Sequence, residues 1–187
     1  MRSLLSVGVF FFVSTVSDEP RGAAPRGYHW QSCPATQVEL LVPDGWRLFE
    51  EAGVSASTCT LVPETGAAPN QRESPPKQTV VVTLLRRVPE KSGLPADLFA
   101  ARLTEELSQR SPESRRSSSR QEPFFAYRVE LTLEENGKRF RLYHLAFANP
   151  LTGSVYLVSA RAPESEWPQF WKKVLPVLKQ LGLDPES

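Results

Sequence analysis

Between Phe124 and Glu134, apolar and polar side chains alternate with the period of a β-strand. Phe125, Tyr127, Val129, Leu131 and Leu133 fall on one face, and Asn136-Gly137 follows, the dipeptide of a two-residue type I′ turn. A return strand from Lys138 to Ala148 is predicted. With Glu135 opposite Lys138, Leu133 meets Phe140, Leu131 meets Leu142 and Val129 meets His144. The other face then pairs Glu134 with Arg139 and Thr132 with Arg141. A slip of one residue would mix apolar with charged positions, so the pattern itself fixes the register. A second turn, Asn149-Pro150-Leu151-Thr152-Gly153, leads into a strand from Ser154 to Arg161.

Upstream, Gln37–Val42 reads as a short strand, Pro43-Asp44-Gly45 as a turn, Trp46–Glu51 as the returning strand and Thr58–Val62 as a third. Pro63–Lys77 has few apolar residues and is expected to be a mobile loop. Gln78–Val88 is apolar on both faces, the mark of a central covered strand. The period then changes. Phe99, Leu103 and Leu107 recur at steps of four, which predicts a helix over Pro95–Arg110, with Arg102 and Glu106 in reach at i, i+4. Ser111–Gln121 has no hydrophobic residue and reads as a polar loop. In the closing helix, Trp167, Phe170, Trp171, Val174, Leu178 and Leu181 form one stripe. Ser165 is its expected N-cap, Pro168 sits in its first turn, Pro176 should bend it, and Gly182 is expected at its end. The predicted order is β-β-β-β-α-β-β-β-α. That is an α+β fold: a mostly antiparallel sheet with helices packed on it.

The amino-terminal segment has a different pattern. Arg2 precedes an apolar run, Leu4–Val13, too short to span a bilayer, followed by Ser14, Thr15 and Ser17. This is the layout of a signal peptide over residues 1–17, with cleavage after Ser17 or as late as about Ala24. An uncleaved apolar anchor is the competing reading. Residues 18–35 are then a flexible lead-in rich in Pro, Gly and Arg, and 36–183 a single domain. The mature chain has no other run long and apolar enough for a membrane helix. A secreted or periplasmic location is expected.

The net charge is +1, with 23% charged and 40% hydrophobic residues, which gives no general pull toward nucleic acid. Cys33 and Cys59 are the two cysteines, and an even count in an exported chain reads as one disulfide. A redox or metal pair is the alternative, but there is no Cys-x-x-Cys and no nearby ligand cluster.

The strand and turn Val38-Glu39-Leu40-Leu41-Val42-Pro43-Asp44-Gly45-Trp46, the helix over Pro95–Arg110 before the meander, and the closing helix with Trp167, Phe170 and Trp171 together resemble the PsbP/DcrB-like superfamily. The resemblance covers about residues 36–183. It implies an exported domain built as an α/β/α sandwich that serves as a binding or assembly factor for a larger complex, with no shared catalytic site. Neither the cysteine pair nor the Ser/Arg segment is a mark of that family.

Little chemistry stands out, and the chain is not expected to be an enzyme or to need a cofactor. His29 lies in the lead-in. His144 pairs with Val129 on the apolar face, where a core histidine is the simpler explanation. A hydrolase would need His144 beside a nucleophile and a carboxylate, and no Gly-x-Ser-x-Gly turn is present. The candidate partner-binding residues are Arg110, Arg115, Arg116 and Arg120, four arginines within eleven residues, with Trp46 as a further contact if it is exposed. A solvated loop is the bland explanation of the arginines. The partner expected is an envelope protein or complex. The alternative function is a small-molecule or lipid carrier, with a pocket between sheet and helix lined by residues such as Phe125, Tyr127 and Phe140.

Overall fold

The long hairpin forms in the register its alternation demands. Residues Phe124–Glu135 and Lys138–Asn149 pair antiparallel with Leu133 opposite Phe140, Val129 opposite His144 and Glu135 opposite Lys138. Asn136 and Gly137 take φ of 50° and 71° at the turn, the left-handed pair a type I′ turn requires.

The computed structural model describes residues 14–15, 22–65 and 76–187. In chain order the elements are β1 (Ser14–Thr15), β2 (Tyr28–Cys33), β3 (Val38–Pro43), β4 (Trp46–Glu51), β5 (Ala56–Pro63), β6 (Thr79–Leu85), α1 (Val88–Ser92), α2 (Ala96–Ser108), β7 (Arg115–Gln121), β8 (Phe124–Glu135), β9 (Lys138–Asn149), β10 (Ser154–Pro163), a 3₁₀ turn at Glu164–Glu166, α3 (Trp167–Lys179) and β11 (Gly182–Leu183). The expected signal peptide, apart from Ser14 and Thr15, and residues 66–75 of the expected loop lie outside the described residues.

Two sheets result. Seven strands run β4-β5-β6-β10-β9-β8-β7, and four run β1-β11-β3-β2. One face of the large sheet carries Val82, Leu84, Tyr143, Leu145, Phe147, Tyr156 and Val158. It packs on α3 and the small sheet. The opposite face carries Ala146, Ala148 and Val155 and packs on α1 and α2. The layers are helix, large sheet, then helix with small sheet, an α+β fold as predicted.

Several local expectations change. The turn at Asp44-Gly45 does not fold β4 back on β3. It carries the chain from the small sheet to the large one, where Trp46 pairs with Pro63 and Leu48 with Leu61. The cause is burial. Leu40, Leu41 and Val42 are all fully buried, so β3 is covered on both faces, and Trp46 is drawn under α3 against Phe170 at 6.1 Å. Residues 28–33 are not a flexible lead-in but the strand β2, paired with β3. Its polar composition suits an edge, and the Tyr28 hydroxyl donates to the Lys173 carbonyl. The Ser/Arg segment is not a loop either, because β7 pairs with β8 along its whole length.

On α2 the buried residues are Ala96, Ala100, Thr104 and Ser108, with Phe99, Leu103 and Leu107 half-buried beside them. Small side chains let the helix backbone approach Ala146 and Ala148. The hydroxyls of Thr104 and Ser108 stay satisfied by donating to the Ala100 and Glu105 carbonyls. Ser165 falls in the 3₁₀ turn and Glu166 takes the cap position of α3, without a side-chain cap. Gly182 opens β11 instead of closing the helix.

Cys33 at the end of β2 and Cys59 in β5 are joined, with their Cα atoms 6.6 Å apart and both side chains buried. The bond ties the small sheet to the large one.

A polar joint lies where β9 turns into β10. Asn149 is fully buried; its amide donates to the Pro185 carbonyl at 2.7 Å, and its side-chain oxygen accepts from the Leu151 amide at 3.0 Å. Truncation would remove both hydrogen bonds and leave a gap at a fully buried position. Asn149→Ala is therefore expected to destabilise by about 2 kcal/mol. The urea midpoint reads this, and an unchanged midpoint would show that the joint carries no stability.

Candidate functional site

β7 is the exposed edge of the large sheet. Arg115 through Arg120 are all exposed, and only one side of the strand is hydrogen-bonded, to β8. Strand alternation separates the arginines. Arg116 and Arg120 share the face toward α2: Arg116 reaches Glu105 at 3.6 Å, and Arg120 reaches Glu122 at 2.6 Å while its guanidinium lies 5.0 Å from the Phe125 ring centre. Arg115 points to the opposite face, into a depression of about 390 Å³ shared with Glu113, Glu130, Arg141 and Glu164. Arg110 is exposed beyond the end of α2, off the strand. The four arginines therefore form no single patch; three of them arm both faces of one open edge. Exposed ion pairs of this kind are worth under about 1 kcal/mol each, so they exchange readily for a partner's carboxylates.

Trp46 is 5% exposed and sits in the core against Phe170. It is removed from the candidate contacts.

Next to the Arg115 depression, on the same sheet face, lies a groove that the sequence did not single out. α3 does not extend over the β8 edge, so the polar face of the hairpin beyond it stays open. Arg128 and Glu130 on β8 and Arg141 and Tyr143 on β9 form the floor; Trp167, Pro168 and Trp171 of α3 form the wall, around about 370 Å³. The two indoles stack at 5.2 Å with 17° between their planes, and Tyr143 lies 4.7 Å from Trp171. The Arg141 guanidinium rests 5.1 Å from the Trp167 ring centre, a cation–π arrangement. Arg128 Nε is 3.9 Å from a Glu130 oxygen. Burial pushes the Tyr143 hydroxyl well above its ordinary range, against the pull of Arg128, so it stays neutral. The signal available in the sequence was two arginines on the polar face of a hairpin, with two tryptophans four apart on the closing helix. Their convergence depends on how far α3 reaches across the sheet, which no local pattern gives.

His144 is 6% exposed, and its Nδ1 lies 2.6 Å from Ser159 Oγ. Desolvation alone lowers its pKa to about 4, and among the described residues no acidic group joins the pair. The pair sits on a covered sheet face, with Ser159 as the side-chain partner of His144. Cys33, Cys59 and Glu50 offer ligand atoms within 4.8 Å of one another, but the two sulfurs are bonded to each other, and Glu50 accepts from the Ala35 amide at 3.1 Å. The proposed carrier pocket is not formed by Phe125, Tyr127 and Phe140. Phe125 lies under Arg120, Tyr127 packs in the α2 cluster, and Phe140 lies under Arg161, so the three line no common cavity. Among the described residues no helix is long and apolar enough to cross a membrane.

Helices on both faces of an antiparallel sheet, with the opening strand and closing helix under one side, define a PsbP-like α+β domain, the fold the sequence resembled. Two solved structures carry the likeness. The crystal structure of LpqN, involved in cell envelope biogenesis of Mycobacterium tuberculosis, matches with a TM-score of 0.52 and 20% identity, over 80% of this chain and 84% of that one. The solution structure of cyanobacterial PsbP (CyanoP) from Synechocystis sp. PCC 6803 matches with a TM-score of 0.51 and 13% identity, over 88% and 97%. At these identities the likeness is one of fold. No protein-family model and no curated protein matches the sequence.

Proposed function

We propose that this chain is an exported, non-catalytic accessory protein that recognises another component of the cell envelope through the arginine-bearing edge strand β7. The observation that carries the proposal is the strand itself. It is open along one side, exposed on both faces, and charged in a way that disfavours a second copy. In an antiparallel self-pairing centred on Ser118, Arg116 would face Arg120. An extended acidic segment meets no such repulsion and gains both backbone and charge-assisted hydrogen bonds. The buried Cys33–Cys59 bond supports an oxidising compartment, as expected of a secreted or periplasmic protein. LpqN, which shares the fold, is itself involved in cell envelope biogenesis.

The test is crosslinking of the tagged protein in its own cells, followed by mass spectrometry. Capture of one envelope protein is expected, reduced at least tenfold by Arg115→Ala/Arg116→Ala/Arg120→Ala and unchanged by Arg110→Ala. The triple variant should fold normally, because all three side chains are exposed. Capture that survives the triple change would move the interface off β7. No specific capture would overturn the accessory role.

A further inference from the structure

The groove beside α3 combines three features that an ordinary solvated surface lacks. Among the described residues, the Arg141 side chain makes no hydrogen bond or ion pair; its charge rests on the face of Trp167, with the guanidinium N–H donors unused. Arg128, on the next strand, has its Nε buried without a hydrogen-bond partner. Both line the same 370 Å³ groove, beside the Trp171 ring and Pro168.

A guanidinium held over an indole keeps its planar fork of donors for another partner, the group that receives a planar two-oxygen anion. The charge count selects among anions. Within the groove Arg128 and Arg141 face Glu130, which leaves one net positive charge. A monoanion neutralises the site. The apolar wall of Trp171 and Pro168 has room for one flat or compact hydrocarbon body. We propose that this groove binds an organic carboxylate with an aromatic or compact apolar body, the carboxylate on Arg141 and the body along Trp171. The site lies on β8, β9 and α3 and goes beyond the partner surface proposed for β7.

The probe is 3-phenylpropionate, with 3-phenylpropionamide as its uncharged control and phenyl phosphate as the dianion. The chain has four tryptophans, so four indole N–H signals report position in a nitrogen-edited NMR titration. Saturable shifts are expected at Trp167 and Trp171 and not at Trp30, with a dissociation constant on the order of 1 mM for a ligand of this size. Arg141→Lys keeps the charge but loses the planar fork, and should weaken binding at least tenfold without moving the thermal midpoint. The amide should not bind. Equal binding of the amide, tighter binding of phenyl phosphate, insensitivity to Arg141→Lys, or no shift at concentrations tenfold above that constant would each overturn the assignment. Partner capture through β7 should persist in Arg141→Lys, so failure here and failure of the accessory role are read separately.

Discussion

Replacing both cysteines, Cys33→Ala with Cys59→Ala, is expected to lower stability by about 3.5 kcal/mol. The bond closes a sequence separation of 26 residues, and on the chain-entropy account a loop of that length restricts the unfolded state by roughly this amount. Position adds to the effect. The bond runs between sheets at the Cys33–Val38 end, opposite the Asp44-Gly45 turn that links β3 to β4. Thr36 is fully buried with its hydroxyl 3.1 Å from Cys59 Sγ, so the variant also costs that contact. Urea unfolding of wild type in oxidising and reducing buffer, beside the double alanine variant, gives the measurement. The reduced wild type should approach the variant. Coincident midpoints for the oxidised protein and the variant would show that the sheets hold each other without the bond.

What was legible in the sequence follows the strength of the local pattern. The β8–β9 register could be written down residue by residue, because a slip would bury charge; the structure has Leu131 opposite Leu142 and Glu134 opposite Arg139. The closing helix stripe was equally clear, and Trp167, Phe170, Val174 and Leu178 are all buried. β7 was not legible. An edge strand exposed on both faces has no burial to impose alternation, so Arg115–Gln121 looks like any polar loop until its partner strand is in place. β2 was missed although Tyr28 and Trp30 pack on the core, because it is a short edge strand of the small sheet set in a Pro- and Gly-rich segment. The fate of Trp46 required knowing that the chain changes sheets after Pro43. A turn dipeptide specifies a reversal but not which strand receives the chain. The wall of the groove was read correctly as core stripe, since Trp167 is 7% exposed, yet the part of its ring face left open is what meets Arg141. Sites made where a helix stops short of a sheet edge are set by tertiary layout.

His144 makes stability fall with acidity in a defined window. Its folded pKa is lowered to about 4 by burial, against an ordinary value of 6.5. Above pH 6.5 the ring is neutral in both states and the full stability is present. Between pH 6.5 and 4 the unfolded chain takes up a proton that the folded chain refuses, so stability drops as pH falls, by about 3 kcal/mol in total. Below pH 4 both states are protonated and this contribution is flat. The geometry explains the refusal. Nδ1 is held by Ser159, Nε2 has no partner, and the ring lies on a covered sheet face between Val129 and Ser159. A charged imidazolium there would bring a second N–H with nothing to receive it. His144→Gln keeps a polar contact to Ser159 and removes the titration. The difference between the stability curves of wild type and variant cancels the carboxylates, which titrate in both. That difference should change by about 3 kcal/mol between pH 7 and 4, most of it below pH 6. A flat difference curve would mean that the ring reaches solvent in the folded protein and is not the buried, neutral group seen between β8 and β10.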